Sequence, residues 1–243
     1  MHVMEEREIW GILGGMGPLA SAEFLNSVYG ERVNGPEQEA PTVILLSDPT
    51  MPDRTSCLLD GRQDVLLERF AGGIESLISM GATRIVVCCV TIHSLIPLLP
   101  STWQAKIVSL LELTLLSVLQ SPSKHLLFCT TGTRKLRVFQ QHPLWPQAQN
   151  RIVLPDDEDQ RLVHNLLYEI KGRQEVRFCI PVVENLMKKY RVSSYVAGCT
   201  EMHILAKAHE QFRGRDRREF CIDPLTEILP MIQQHAALPA RAE

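Results

Sequence analysis

Two stretches of the chain carry a Cys four residues ahead of a His. Ile85–Leu95 (IVVCCVTIHSL) and Tyr195–Leu205 (YVAGCTEMHIL) align at an offset of 110 positions, matching Val86 with Val196, Cys89 with Cys199, His93 with His203 and Leu95 with Leu205. Each Cys follows a short apolar run and precedes a segment of helical spacing, the mark of an internal repeat with a thiol at each strand end. Two thiols aimed at one crevice can do two-base chemistry at carbon: a thiolate removes a proton from one face, a thiol delivers one to the other, and the roles exchange on return. A free thiol titrates near ~8.5, and a helix N-terminus lowers that value. For any single Cys the simpler reading is a small buried hydrophobe. That reading stands for Cys57, Cys88, Cys179 and Cys221, while the repeat sets Cys89 and Cys199 apart.

Other patterns compete. Cys-x-x-x-His places both side chains on one helical face, so a composite zinc site across the crevice is conceivable; the lack of any C-x-x-C pair and the position of each Cys at a turn argue against it. His93 and His203 invite a catalytic role, yet one turn into a helix they serve as easily as structural residues orienting the strand-end loops. Gly15-x-Gly17-x-x-Ala20 fits a relaxed dinucleotide fingerprint, yet Asp48 lies 31 residues past Gly17 and precedes Pro49, where the fingerprint places its acidic residue about 20 residues on. Neither a metal nor a cofactor is expected.

The elements that must position these residues alternate between strand and helix. Ile9–Leu13, Val43–Leu46, Arg84–Cys88, His125–Cys129, Arg151–Leu154, Tyr195–Ala197 and Glu219–Ile222 read as strands. Leu19–Val33, Gln63–Met80, Leu110–Gln120, Asp157–Lys171, Val182–Tyr190, Met202–Phe212 and Leu225–Gln234 have helical spacing. Asp156, Asp157, Glu158 and Asp159 open the fourth of these helices and Lys171-Gly172 closes it, as the helix dipole favours. The expected fold is α/β: two similar lobes, each a parallel sheet flanked by helices, with a pseudo-twofold relation and the site in the cleft between them. Residues 1–104 plus 217–243 would form the first lobe and 105–216 the second.

Composition bounds the function. At 243 residues, 45% hydrophobic and 22% charged, the chain can bury a sizeable core. Lys plus Arg number 25 against 28 Asp plus Glu, a formal charge of −3, so no basic excess is available for nucleic acid or an anionic membrane. The opening Met1–Glu8 lacks the basic stretch and apolar run of a secretory signal, and seven cysteines without a C-x-x-C pair suit a reducing compartment; a cytoplasmic location is expected. The longest apolar stretch, Ile107–Leu119, covers 13 residues and is interrupted by Ser109, Glu112, Thr114 and Ser117, so it reads as a buried helix.

These motifs bring a family into view. Gly11-Ile-Leu-Gly-Gly-Met-Gly-Pro-Leu-Ala20, Pro52-Asp53-Arg54-Thr55, Cys89-Val-Thr-Ile-His93, Thr131-Gly132-Thr133, Lys171-Gly172 and Gly198-Cys-Thr-Glu201 occur in this order along nearly the whole chain. The sequence resembles the aspartate/glutamate racemase superfamily, and most closely its cofactor-independent aspartate racemases. The resemblance implies racemisation of an acidic amino acid, aspartate before glutamate or a relative, without pyridoxal phosphate, metal or nucleotide. Cys89 and Cys199 match its catalytic pair. Met16 and the neighbouring glycines match a pocket-lining loop, and Arg54 and Lys171 match cations suited to a side-chain carboxylate. Thr91, Thr131 and Thr200 match positions that would bind the α-carboxylate, with Thr133 and Glu201 also placed at the substrate. The simpler readings are an ion pair for Arg54, a dipole-complementing charge for Lys171 and Glu201, and helix caps for Thr131 and Thr133. The return of the last strand and helix to the first lobe follows from the resemblance, which also allows a homodimer. The sequence departs from the pattern at Val90, where the family has Asn, and at Cys129, Leu136 and Phe139. Val90 sustains a second reading, a racemase-like protein with altered substrate or one that binds an amino acid without racemising it.

Overall fold

A computed structural model describes residues 8–31, 36–173 and 175–234. The chain forms two four-stranded parallel sheets. The first contains β1 (Ile9–Gly14), β2 (Thr42–Ser47), β3 (Arg84–Val87) and β4 (Ile107–Val108) in the order β2-β1-β3-β4. The second contains β5 (His125–Cys129), β6 (Ile152–Val153), β7 (Ser194–Gly198) and β8 (Cys221–Ile222) in the order β6-β5-β7-β8. The two orders are the same, and β3 and β7 begin 110 residues apart, the offset of the Cys repeat.

Helices follow the strands in turn. β1 leads to α1 (Pro18–Gly30), β2 to α2 (Arg54–Leu59) and α3 (Gln63–Ser79), and β3 to a 3-10 segment (Thr91–Leu98) and α4 (Ser101–Gln104). After β4 comes α5 (Leu110–Gln120), after β5 α6 (Thr131–Lys135) and α7 (Trp145–Ala148), and after β6 α8 (Asp157–Lys171) and α9 (Ile180–Lys189). β7 leads to α10 (Glu201–Arg213), and β8 to α11 (Pro224–Glu227) and α12 (Leu229–Gln234). The expected helix at Leu19–Val33 ends outside the described residues, as does most of the opening Met1–Glu8.

Packing follows from side-chain spacing. All residues of β5 and β7 are buried, as parallel strands covered on both faces must be. α3 buries Leu66, Phe70, Ile74 and Leu77, a single helical stripe, against the first sheet. α8 starts where the Asp156 carboxylate accepts the Asp159 amide at 2.9 Å, and it buries Val163, Leu166, Leu167 and Ile170 against the second sheet.

Both seams between the lobes differ from the expected division. Ile107–Val108 forms β4, paired with β3, instead of the start of a helix; the Ser109 hydroxyl then accepts the Glu112 amide and opens α5 at Leu110. At the other end, the strand expected to return to the first lobe pairs with β7, Tyr195 opposite Cys221 and Val196 opposite Ile222. Only the helices that follow it return: Leu225, Ile228, Leu229 and Ile232 pack against Trp10, Ile12, Phe24 and Val28 of the first lobe. The two-residue strand carries too little apolar surface to choose a lobe alone, whereas the stripe on α11–α12 finds the open face of β1.

In each sheet the chain runs from a central strand to one neighbour and then crosses to the other side. Such a switch point, between β1 and β3 and again between β5 and β7, leaves a crevice at the carboxyl ends of the strands. Gly14–Gly17 and Cys89 flank the first crevice, and Thr130–Thr133 and Cys199 flank the second.

Candidate active site

The glycine loop after β1 is shaped by close approach. Gly15 has φ +90°, and a Cβ there would lie 2.3 Å from the Asp48 backbone, so only glycine fits. The same contact closes the dinucleotide reading: Asp48 packs its main chain on the loop, and its carboxylate binds Thr50 and Arg69, each at 2.6 Å. A Cβ on Gly17 would come 2.9 Å from Glu201 Oε1, so the loop also presses on the second lobe.

Arg54 is 7% exposed at the start of α2. Its guanidinium donates to the carbonyls of Met16 at 2.5 Å, Pro52 at 3.0 Å and Met51 at 3.3 Å, and it faces the Cys89 thiol. Burial works against the charge on Arg54, but Cys89, Asp53 and Glu201 around it hold its pKa above the usual value. Cys199 lies across the cleft, and its thiol donates to Glu201 Oε2 at 2.7 Å. Burial pushes the Cys199 thiol well above its ordinary pKa; Glu201 adds to the rise, Lys171 opposes it, and Cys89 contributes across the gap. Burial would likewise depress Lys171, yet Glu201 and Cys199 raise it. Cys89, Arg54, Cys199, Glu201 and Lys171 thus form one electrostatic cluster drawn from both lobes.

The threonines assemble around it. Thr91 Oγ1 lies 2.8 Å from Thr133 Oγ1 and 3.1 Å from Thr130 Oγ1, a buried hydroxyl trio joining the segment after β3 to the start of α6. Thr200 donates to the Cys88 carbonyl at 3.2 Å, tying the second thiol's turn to the first thiol's strand. Thr131 differs from the rest: its amide donates to His164 Nδ1 at 3.3 Å, and the α6 cap is Thr130, whose hydroxyl accepts the Thr133 amide. Val90 is 1% exposed and lies in an apolar cluster with Leu127, Cys129 and Phe139.

The histidines take structural parts. Leu110 N–H donates to His93 Nε2 at 3.3 Å, so the ring proton sits on Nδ1 and donates to the Cys89 carbonyl at 2.8 Å. Burial lowers the His93 pKa to about 4, which leaves it neutral. His203 is bound on both sides, to Asp223 Oδ2 at 2.6 Å and Ser27 Oγ at 2.9 Å, in the packing of α1 against α10. With these commitments the composite Cys/His arrangement does not form, and no group of three potential metal ligands comes together among the described residues. Burial raises Cys129 to about 12 and Cys179 to about 11, and it raises Cys88 and Cys221 as well.

Sequence reasoning missed the rim of the cleft. Tyr168 donates to Asp53 Oδ2 at 2.6 Å, a bond from α8 to the cap of α2. Lys171 Nζ lies 4.1 Å from the Tyr168 ring centre, and the His164 ring centre lies 4.4 Å from it. The spacing of His164, Tyr168 and Lys171 puts all three on one face of α8, and that periodicity was the available signal. Gly132 approaches so closely that a Cβ would meet Thr55 Oγ1 at 2.7 Å, so α2 is also met by α6.

No helix among the described residues is long and apolar enough to cross a membrane. Among solved structures, Picrophilus torridus aspartate racemase superposes with a TM-score of 0.79 at 22% identity, covering 94% of each chain. An aspartate racemase homologue from Pyrococcus horikoshii gives 0.62 at 16% identity over 95% of this chain and 99% of that one. Glutamate racemase from Campylobacter jejuni gives 0.60 at 14% identity over 93% and 85%. These likenesses establish the fold. The family model for Asp/Glu/hydantoin racemases matches residues 13–227, nearly the whole described chain and both thiol turns, and the protein belongs to that family.

Proposed function

We infer that the protein racemises an acidic amino acid, aspartate foremost, by a two-base mechanism in which Cys89 and Cys199 are the acid and base. The observation that carries this is the convergence of two thiols, from equivalent strand ends of two sheets, on one cluster with Arg54 and Lys171. One thiolate takes the α-proton, the C–H electron pair passes into the planar carbanion, and the opposite thiol returns a proton to the other face. No pyridoxal phosphate is called for. Arg54 and Lys171 supply the positive charge that favours a dicarboxylate, and the threonine hydroxyls supply donors for the charge growing on the α-carboxylate. The reaction belongs to a cytoplasmic enzyme on this reading.

The test is proton NMR of the reduced protein with L- and D-amino acids in deuterated buffer, followed by chiral analysis. Loss of the aspartate α-proton with inversion is expected. Exchange without inversion removes the two-thiol scheme, and silence across the panel favours an amino-acid-binding protein on a racemase fold.

A further inference from the structure

The two thiols stand in opposite surroundings. Cys89 faces the guanidinium of Arg54, a buried cation. Cys199 donates a 2.7 Å hydrogen bond to Glu201, a carboxylate that is 1% exposed. Glu201 Oε1 has no hydrogen-bond partner and is shut from solvent against Gly17, so this carboxylate is not saturated by other donors. A carboxylate with a spare buried oxygen beside a thiol opposes removal of the thiol's proton, since the result is two anions in contact with little water between them.

We propose that Glu201 is a positioning residue that keeps the proton on Cys199, so that the free protein carries its thiol at Cys199 and its starting base at Cys89. The groups facing Cys199 are Glu201 on its own turn, Lys171 from α8 and Cys89 from the first lobe; Arg54 and Cys88 face Glu201 in turn. Lys171 is a cation facing Cys199, and it is shared with Glu201. The cluster is therefore unequal by construction. In the forward step Cys89 takes the α-proton and Cys199 gives its own. That leaves a thiolate beside Glu201, a state the carboxylate disfavours, and the starting form is restored when Cys199 takes a proton from solvent and Cys89 releases to solvent the one it abstracted. Within the racemase reading on which this inference rests, one enantiomer meets the populated form and its mirror image the minor one.

The experiment needs no substrate, so its failure is separate from failure of that reading. Full-length reduced protein is alkylated with iodoacetamide across a pH series, and the extent at Cys89 and Cys199 is read by peptide mass spectrometry. The midpoint of each profile, rather than the rate, removes the effect of access. Cys199 is expected to have the higher midpoint. In Glu201→Gln it falls by about one pH unit or more, equivalent to a tenfold larger thiolate fraction at pH 7, while the Cys89 midpoint moves less. Equal midpoints in the unaltered protein, or a lower one at Cys199, overturn the proposal even where the variant fails to fold; an unmoved Cys199 midpoint in a folded Glu201→Gln protein overturns it too.

Discussion

Tyr168 and Asp53 join the lobes across the mouth of the cleft, and Tyr168→Phe removes that link while leaving the ring against Lys171 and His164. A hydrogen bond to a charged group is worth ~1.5–3 kcal/mol when shielded from water. Tyr168 is 36% exposed, so solvent screening reduces the expectation to about 1 kcal/mol. If the link also holds the cleft closed over substrate, KM for aspartate rises roughly fivefold. Asp53→Asn is the matching change, because Asn caps α2 about as well as Asp does when it accepts the Ser56 amide. Urea unfolding and KM on the two single variants and the double variant form a cycle, with an expected coupling of about 1 kcal/mol. The pH limits follow from the two groups. Burial raises Asp53, but the Ser56 amide, Tyr168, Lys171 and Arg54 outweigh it and leave the pKa lowered. Its contribution is present above ~4 and fades as pH falls through the depressed value. Tyr168 is raised, by burial first and then by Asp53, so its contribution is present below ~10 and fades as pH rises through the raised value. Strictly additive single effects, with coupling under about 0.3 kcal/mol, would refute the link as an energetic unit.

Three further outcomes are expected. Cys89→Ser and Cys199→Ser each abolish racemisation in a chiral assay, and one retains α-proton exchange of a single enantiomer; full activity in either removes the two-thiol scheme. Arg54→Ala lowers kcat/KM for aspartate by roughly 100-fold or more, the worth of two lost charge-assisted bonds, while alanine is affected far less; equal loss on both removes Arg54 from side-chain recognition. Asp223→Asn destabilises the chain by ~2–4 kcal/mol in urea unfolding, because burial is outweighed at Asp223 by His203, Thr226 and the Leu225 amide, which leave its pKa lowered. That contribution is present above ~4 and is lost as pH falls through the depressed value, and a cost under about 0.5 kcal/mol would show the buried pair to be neutral.

What was legible in the sequence was periodic or local. The central strands read as unbroken apolar runs, α8 announced itself by acids at one end and Lys171 at the other, and the Cys repeat gave the symmetry of the two sheets. The two-residue strands were not legible, because β4 and β8 are defined by a neighbour's register and not by their own composition. The same holds at the site. Cys89, Cys199 and Arg54 stand out by type and motif, but the Glu201–Cys199 bond depends on the shape of the turn before α10, and the Asp53–Tyr168 bond on how distant segments meet. His93 shows the converse: its spacing from Cys89 invited a catalytic part, and only the Leu110 amide on its far nitrogen assigns its proton and its structural role.

The departures from the family pattern gain their meaning from one another. Val90, Cys129 and Phe139 all lie in a single apolar cluster with Leu127, Val138 and Val196, and Leu136 packs against it. Taken alone, Val90 looks like a missing amide in a motif that otherwise carries Asn. Taken with its neighbours, it is one apolar side chain packed among others, in a buried layer where an unpaired polar group costs ~1–3 kcal/mol. The layer leaves the next residue untouched, since Thr91 still meets Thr130 and Thr133, and Thr200 still reaches the Cys88 carbonyl. The polar groups around the two thiols are therefore intact while the substitution at position 90 is absorbed in the packing behind them.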